Sequence, residues 1–78
     1  MAELEPLVQA LLREQRRLQL THDQMSRRLG ISLRLWYLVK AGERKPSRFL
    51  LQAVTRAFPH FQGRVLDYLT ADREERVV

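Results

Sequence analysis

The chain has 78 residues, a 45% apolar share, no cysteine and a net charge of +5. This length holds one small domain with no room for a second core, and the composition is that of a folded chain rather than a disordered one. Disulfides and thiolate metal sites are excluded, no apolar run reaches membrane-span length, and the start Met1-Ala2-Glu3-Leu4-Glu5 does not read as a signal peptide, so a cytoplasmic location is expected.

A first helix is expected from about Leu4 to Arg17. Leu4, Leu7, Val8, Leu11, Leu12 and Leu18 form its apolar stripe, and Arg13, Glu14, Arg16 and Arg17 its wet face. Pro6 fits only in the first turn, where its missing N–H costs nothing. Leu20 tucks under the domain, and Thr21 caps a second helix. Gln24, three residues on, completes a Thr-x-x-Gln capping box. Met25 and Leu29, four apart, share one face of that helix. Gly30 can take the left-handed conformation that stops it, and Ile31 folds back into the groove. Ser32 caps a third helix, on which Trp36 and Val39 line the inner face. Two short helices across a tight turn are the layout of a helix-turn-helix.

After Gly42 comes a basic loop, Glu43-Arg44-Lys45-Pro46, whose proline biases Lys45 away from helix. Ser47 caps a fourth helix ending near Ala57, with Leu50, Leu51, Val54 and Phe58 as core candidates. A fifth helix is expected from Pro59 to Thr70, with Phe61, Val65, Leu66 and Leu69 on one face. Gly63 weakens it by about 1 kcal/mol relative to alanine. The charged stretch Asp72–Val78 lacks periodicity, so residues 71–78 are expected to fray and residues 1–70 to form the domain. No segment alternates with period two. The expected fold class is all-α: a compact bundle of five short helices, with a helix-turn-helix at helices two and three.

The charge is unevenly placed. From Arg27 to Arg48 stand seven cations, Arg27, Arg28, Arg34, Lys40, Arg44, Lys45 and Arg48, against the single acid Glu43. That local +6 exceeds the charge of the whole chain, so the remainder is slightly acidic. A localised patch of this kind attracts phosphates and releases condensed counterions on docking. A solvated basic surface is the plain alternative, and the helix-turn-helix layout shifts the balance toward nucleic acid.

Leu20-Thr21 before helix two, Leu29-Gly30-Ile31-Ser32 at the turn and Gly42-Glu43-Arg44-Lys45-Pro46-Ser47 after helix three carry a family resemblance. Together they resemble the lambda-repressor-like family, the compact five-helix domains of phage repressors, Cro proteins and xenobiotic-response-element regulators. The resemblance runs from about Leu12 to Phe58 without insertion. The chain departs from the family at His22, where glutamine is usual, and mildly at Ser26. It departs again at Val39-Lys40, where many members carry Trp-Glu, and on the outward side of helix three, which is unusually apolar.

The resemblance implies a sequence-specific DNA-binding regulator, with helix three in the major groove. Base contacts then fall to Leu33, Arg34, Tyr37 and Leu38. Arg34 suits guanine O6 and N7, and the leucines suit thymine methyls. Backbone contacts fall to Thr21, His22, Gln24, Ser32, Lys40, Arg44 and Lys45, the first three at a helix N-terminus suited to a phosphate. Beside this stands a plainer assignment, in which Arg34 is a solvated arginine and Leu33, Leu35, Tyr37 and Leu38 bind a protein such as RNA polymerase, a toxin or another repressor. Phe49 and Leu50 together are too apolar for one face of so small a domain. One of them, with Phe61, Tyr68 and Leu69, is expected to meet a second copy in a homodimer. Trp36 is expected in the core. With two histidines and no cysteine, no metal or cofactor is expected, and no nucleophile, phosphate loop or paired acids suggest catalysis.

Overall fold

The computed structural model describes residues 5–76, with side chains to residue 71. Five helices follow one another: α1 (Pro6–Arg17), α2 (His22–Leu29), α3 (Leu33–Lys40), α4 (Arg48–Ala57) and α5 (Gln62–Arg76), with a 3-10 turn, Pro59–Phe61, leading into the last. No strand occurs among the described residues. The protein is an all-α, compact five-helix bundle, and the arrangement of α2 and α3 is compatible with a helix-turn-helix.

The helix starts are built by side-chain caps. Thr21 Oγ1 accepts from the Gln24 N–H at 3.1 Å while the Thr21 N–H donates to Gln24 Oε1 at 2.8 Å, completing the capping box. Ser32 Oγ accepts from the Leu35 N–H at 3.0 Å, and Ser47 Oγ from the Leu50 N–H at 3.3 Å. The ends of α1, α2 and α3 share a second device, a left-handed residue just past the helix. Gly30 (φ 72) and Gly42 (φ 77) fill that place after α2 and α3, and Gln19 (φ 56) fills it after α1. In each case the left-handed residue and its successor donate back into the last turn, as in Ile31 N–H to Ser26 O at 3.0 Å, Glu43 N–H to Leu38 O at 3.0 Å and Leu20 N–H to Gln15 O at 3.0 Å. These are Schellman closures, which satisfy carbonyls the helix would otherwise orphan.

The core is closed by Trp36, Phe58, Leu11, Met25, Leu50, Val8, Val39 and Val54, with Leu7, Leu29, Leu51, Phe61 and Val65 completing it. Three sequence expectations need correction. Glu14, assigned to the wet face of the first helix, is buried, as is Gln15 beside it. Glu14 lies against Arg17 and His60, whose approach from the 3-10 turn covers it. The fifth helix does not bury a Phe61–Val65–Leu66–Leu69 face: Phe61 and Val65 are buried and Tyr68 packs on the core, while Leu66 and Leu69 are exposed. Residues four and three apart share a helix face, so once Phe61, Val65 and Tyr68 turn inward, Leu66 is carried round toward solvent. Finally, α5 starts at Gln62 behind the 3-10 turn and continues through Arg76, past the expected limit at Thr70. Leu4 lies outside the described residues. No helix among them is long and apolar enough to cross a membrane.

Candidate nucleic-acid interface

Helix α3 has an inner and an outer side. Trp36 and Val39 are turned fully into the core, and the helical repeat therefore places Arg34 and Tyr37 outward. Arg34 is exposed and Tyr37 is 45% exposed. The Tyr37 ring is braced on two sides. The His22 imidazole meets it edge-on with centroids 5.5 Å apart, and Lys40 Nζ stands 5.2 Å from its centroid.

His22, the first residue of α2, is itself anchored from within. The Trp36 indole N–H donates to His22 Nδ1 at 3.2 Å. Gln15 Nε2 lies 3.0 Å from the same atom and also donates to the Leu20 carbonyl at 3.1 Å. A side chain of α1, the start of α2 and the middle of α3 thus meet at one imidazole.

The other candidate backbone contacts are also in place at the surface. Thr21, Gln24 and Ser32 are exposed, and each spends an oxygen on its cap. A hydroxyl that accepts from a backbone N–H keeps its own hydrogen to give, and the Gln24 amide keeps its NH₂. Arg44 and Lys45 are exposed in the loop between α3 and α4. With Leu35, Val39, Ser47 and Leu50 they line a hollow of about 230 Å³. The loop is fixed at its root, because the N–H groups of Glu43 and Arg44 both donate to Leu38 O, at 3.0 and 3.2 Å.

The cations differ in what already engages them. Arg27 pairs with Asp23 at 3.2 Å, and the Arg28 guanidinium lies 5.6 Å from the Phe58 ring centroid. Arg34, Lys40, Arg44, Lys45 and Arg48 form no ion pair among the described residues. Their charge is available to an incoming anion.

The apolar candidates on α3 are less prominent than their sequence suggests. Leu33 and Leu35 pack against the core, Leu38 is half-buried, and only Tyr37 counts among the large exposed apolar side chains. At the candidate dimer surface Phe61 drops out: it is 3% exposed and belongs to the monomer core. Tyr68 is half-buried, its hydroxyl donating to Pro46 O at 3.4 Å. Leu69 remains outward, as do Leu66 and Phe49, while Leu50 is fully buried.

A second polar cluster escaped the sequence. Arg17 Nε and Nη2 donate to the two oxygens of Glu14 at 2.7 and 2.9 Å, and His60 Nε2 lies 2.8 Å from Oε2. The Arg17 hydrogen bonds, aided by His60 and opposed by burial, lower the Glu14 pKa from its ordinary 4.5 to about 2. The spacing of Glu14 and Arg17 hints at the pair, but nothing local announces His60. No group of three or more His, Asp or Glu side chains that could hold a metal ion occurs among the described residues. No protein-family model, curated protein or solved structure matches the chain.

Proposed function

We propose that the protein is a sequence-specific double-stranded DNA-binding transcriptional regulator of phage-repressor or Cro type, acting in the cytoplasm with α3 in the major groove. The observation that carries this is a set of five cations without ion pairs among the described residues: Arg34 and Lys40 on α3, Arg44 and Lys45 in the loop that follows, and Arg48 at the start of α4, with Tyr37 outward on α3. Cations already neutralised by neighbours would gain little from phosphates; these have none to lose. Arg34 reads a base edge, with Leu33, Tyr37 and Leu38 beside it, and Arg44 and Lys45 hold the backbone. Occupying its site, the regulator blocks or touches RNA polymerase. Using α3 instead as an apolar docking face is less well supported, because Leu33 and Leu35 are packed on the core.

A homodimer fits the same function. Leu69, Leu66 and Phe49 are 46%, 55% and 60% exposed, and a pairing that covered them would remove apolar surface from water. A two-fold pairing sets two recognition helices about 34 Å apart, one turn of duplex, and requires a pseudo-palindromic site.

Selection from a random duplex pool, with sequencing of the bound fraction, tests the function. An enriched motif is expected. Arg34→Ala then costs about 1–3 kcal/mol on that motif with little loss on random duplex. A pool that returns no motif refutes sequence-specific binding.

A further inference from the structure

The imidazole of His22 has two hydrogen-bond partners on one nitrogen, and both can only donate. The Trp36 indole N–H has no acceptor capacity, and an amide NH₂ has none either. Both point at Nδ1, from 3.2 and 3.0 Å. Turning the Gln15 amide over would set its oxygen about where Nε2 lies, 3.1 Å from the Leu20 carbonyl oxygen, acceptor against acceptor. Nδ1 is therefore bare, and the neutral ring carries its hydrogen on Nε2.

The placement of the ring decides where that hydrogen goes. Trp36 is fully buried and Gln15 is 7% exposed, so Nδ1 faces the interior. Nε2 sits on the opposite edge of the ring and has no partner among the described residues. It belongs to the first residue of α2, beside the outward Tyr37.

Gln15 holds this arrangement at a cost. Its Oε1 is buried without a hydrogen-bond partner among the described residues. An unsatisfied buried acceptor is destabilising, and an apolar side chain of similar length would avoid it. The amide offsets that cost with its two hydrogens, one given to the Leu20 carbonyl and one to His22 Nδ1, and the second of these orients the imidazole.

We infer that Gln15 and Trp36 are positioning residues that lock His22 in its Nε2–H tautomer, so that the backbone contact the resemblance already implies for His22 is made by an outward N–H donor to a DNA phosphate. The second half rests on the DNA-binding function proposed above; the first half does not. Such a donor is neutral, so it holds the backbone without releasing counterions of its own.

Two substitutions separate the two ends of the ring. In His22→Asn the side-chain oxygen takes the place of Nδ1 and accepts from Trp36 and Gln15, but nothing reaches outward. In His22→Gln the amide reaches the place of Nε2 and keeps an outward donor, but the inner acceptor is lost. Long-range proton–nitrogen NMR of the free wild type should find the hydrogen on Nε2. The Trp36 indole N–H resonance should shift in His22→Gln and stay near its wild-type position in His22→Asn. Fluorescence anisotropy with a random-sequence duplex should show about tenfold weaker binding for His22→Asn, with its salt dependence unchanged. His22→Gln should bind nearer to wild type although it melts earlier.

A hydrogen found on Nδ1 overturns the lock, whether or not the protein binds DNA. His22→Asn binding as tightly as wild type overturns the donor role and leaves DNA binding standing. A loss confined to a selected site assigns the N–H to a base edge and overturns the phosphate contact. Wild-type protein that binds no duplex overturns the DNA-binding function and the donor role together, and the free-protein spectrum still decides the lock.

Discussion

The cations without ion pairs make salt the most direct perturbation of the proposed function. On the proposed function, Lys40, Arg44, Lys45 and Arg48, none of them ion-paired among the described residues, would meet phosphates, and Arg34 would add a fifth charge in the groove. Each phosphate neutralised contributes about −0.9 to the slope of log K against log salt, so four to five contacts give between about −3.6 and −4.5. The assay is anisotropy of a labelled duplex titrated at several potassium chloride concentrations from low to physiological. Arg44→Ala and Lys45→Ala should each flatten the slope by about 0.9 and weaken selected and random duplexes alike. Arg27→Ala is the internal control. Its charge is already shared with Asp23 at 3.2 Å, so its loss should change the slope less than either loop substitution. A slope near zero, or Arg27→Ala equalling Arg44→Ala, would refute the link drawn between missing ion pairs and phosphate contact.

Four further outcomes follow from packing and charge. Trp36→Ala empties a fully buried site and should cost roughly 3–5 kcal/mol in denaturant unfolding; a folded variant of near wild-type stability would place the indole outside the core. Gly30→Ala meets nothing within 4 Å, so its cost comes from the left-handed backbone alone, about 0.5–1 kcal/mol after the gain from a stiffer unfolded chain, while Gln19→Gly should shift the melting temperature the opposite way. Because the Glu14 pKa is lowered, its stabilising effect is complete above about pH 4.5 and fades as pH falls toward 2, so the stability gap between wild type and Glu14→Gln should close across that window. Leu69→Asp changes an exposed residue, and sedimentation at micromolar concentration should find the dimer dissociated while circular dichroism stays helical; lost helicity would instead make Leu69 part of the monomer.

The helices were legible in the chain because the forces that set their limits are local. Thr21 with Gln24, Ser32 with Leu35 and Ser47 with Leu50 act over three residues, and Gly30 and Gly42 act through their own φ. The same holds for the inward Trp36 and Val39, three apart on one helix face. Local rules also mark where they fail: Gln19 adopts the left-handed conformation without being glycine, because the Schellman closure of α1 imposes it.

Burial of polar groups, and the loss of Phe61 from the candidate dimer surface, needed the packed molecule. Glu14 looks solvent-facing on its own helix and becomes buried once His60 arrives from 46 residues away. Gln15 reaches His22 and Trp36 only after α1, α2 and α3 have packed together. Phe61 and Leu69 are equally apolar in the sequence, yet one fills the core and the other faces solvent. Hydrophobicity says that a side chain gains from leaving water, and only the arrangement of helices says what is there to receive it.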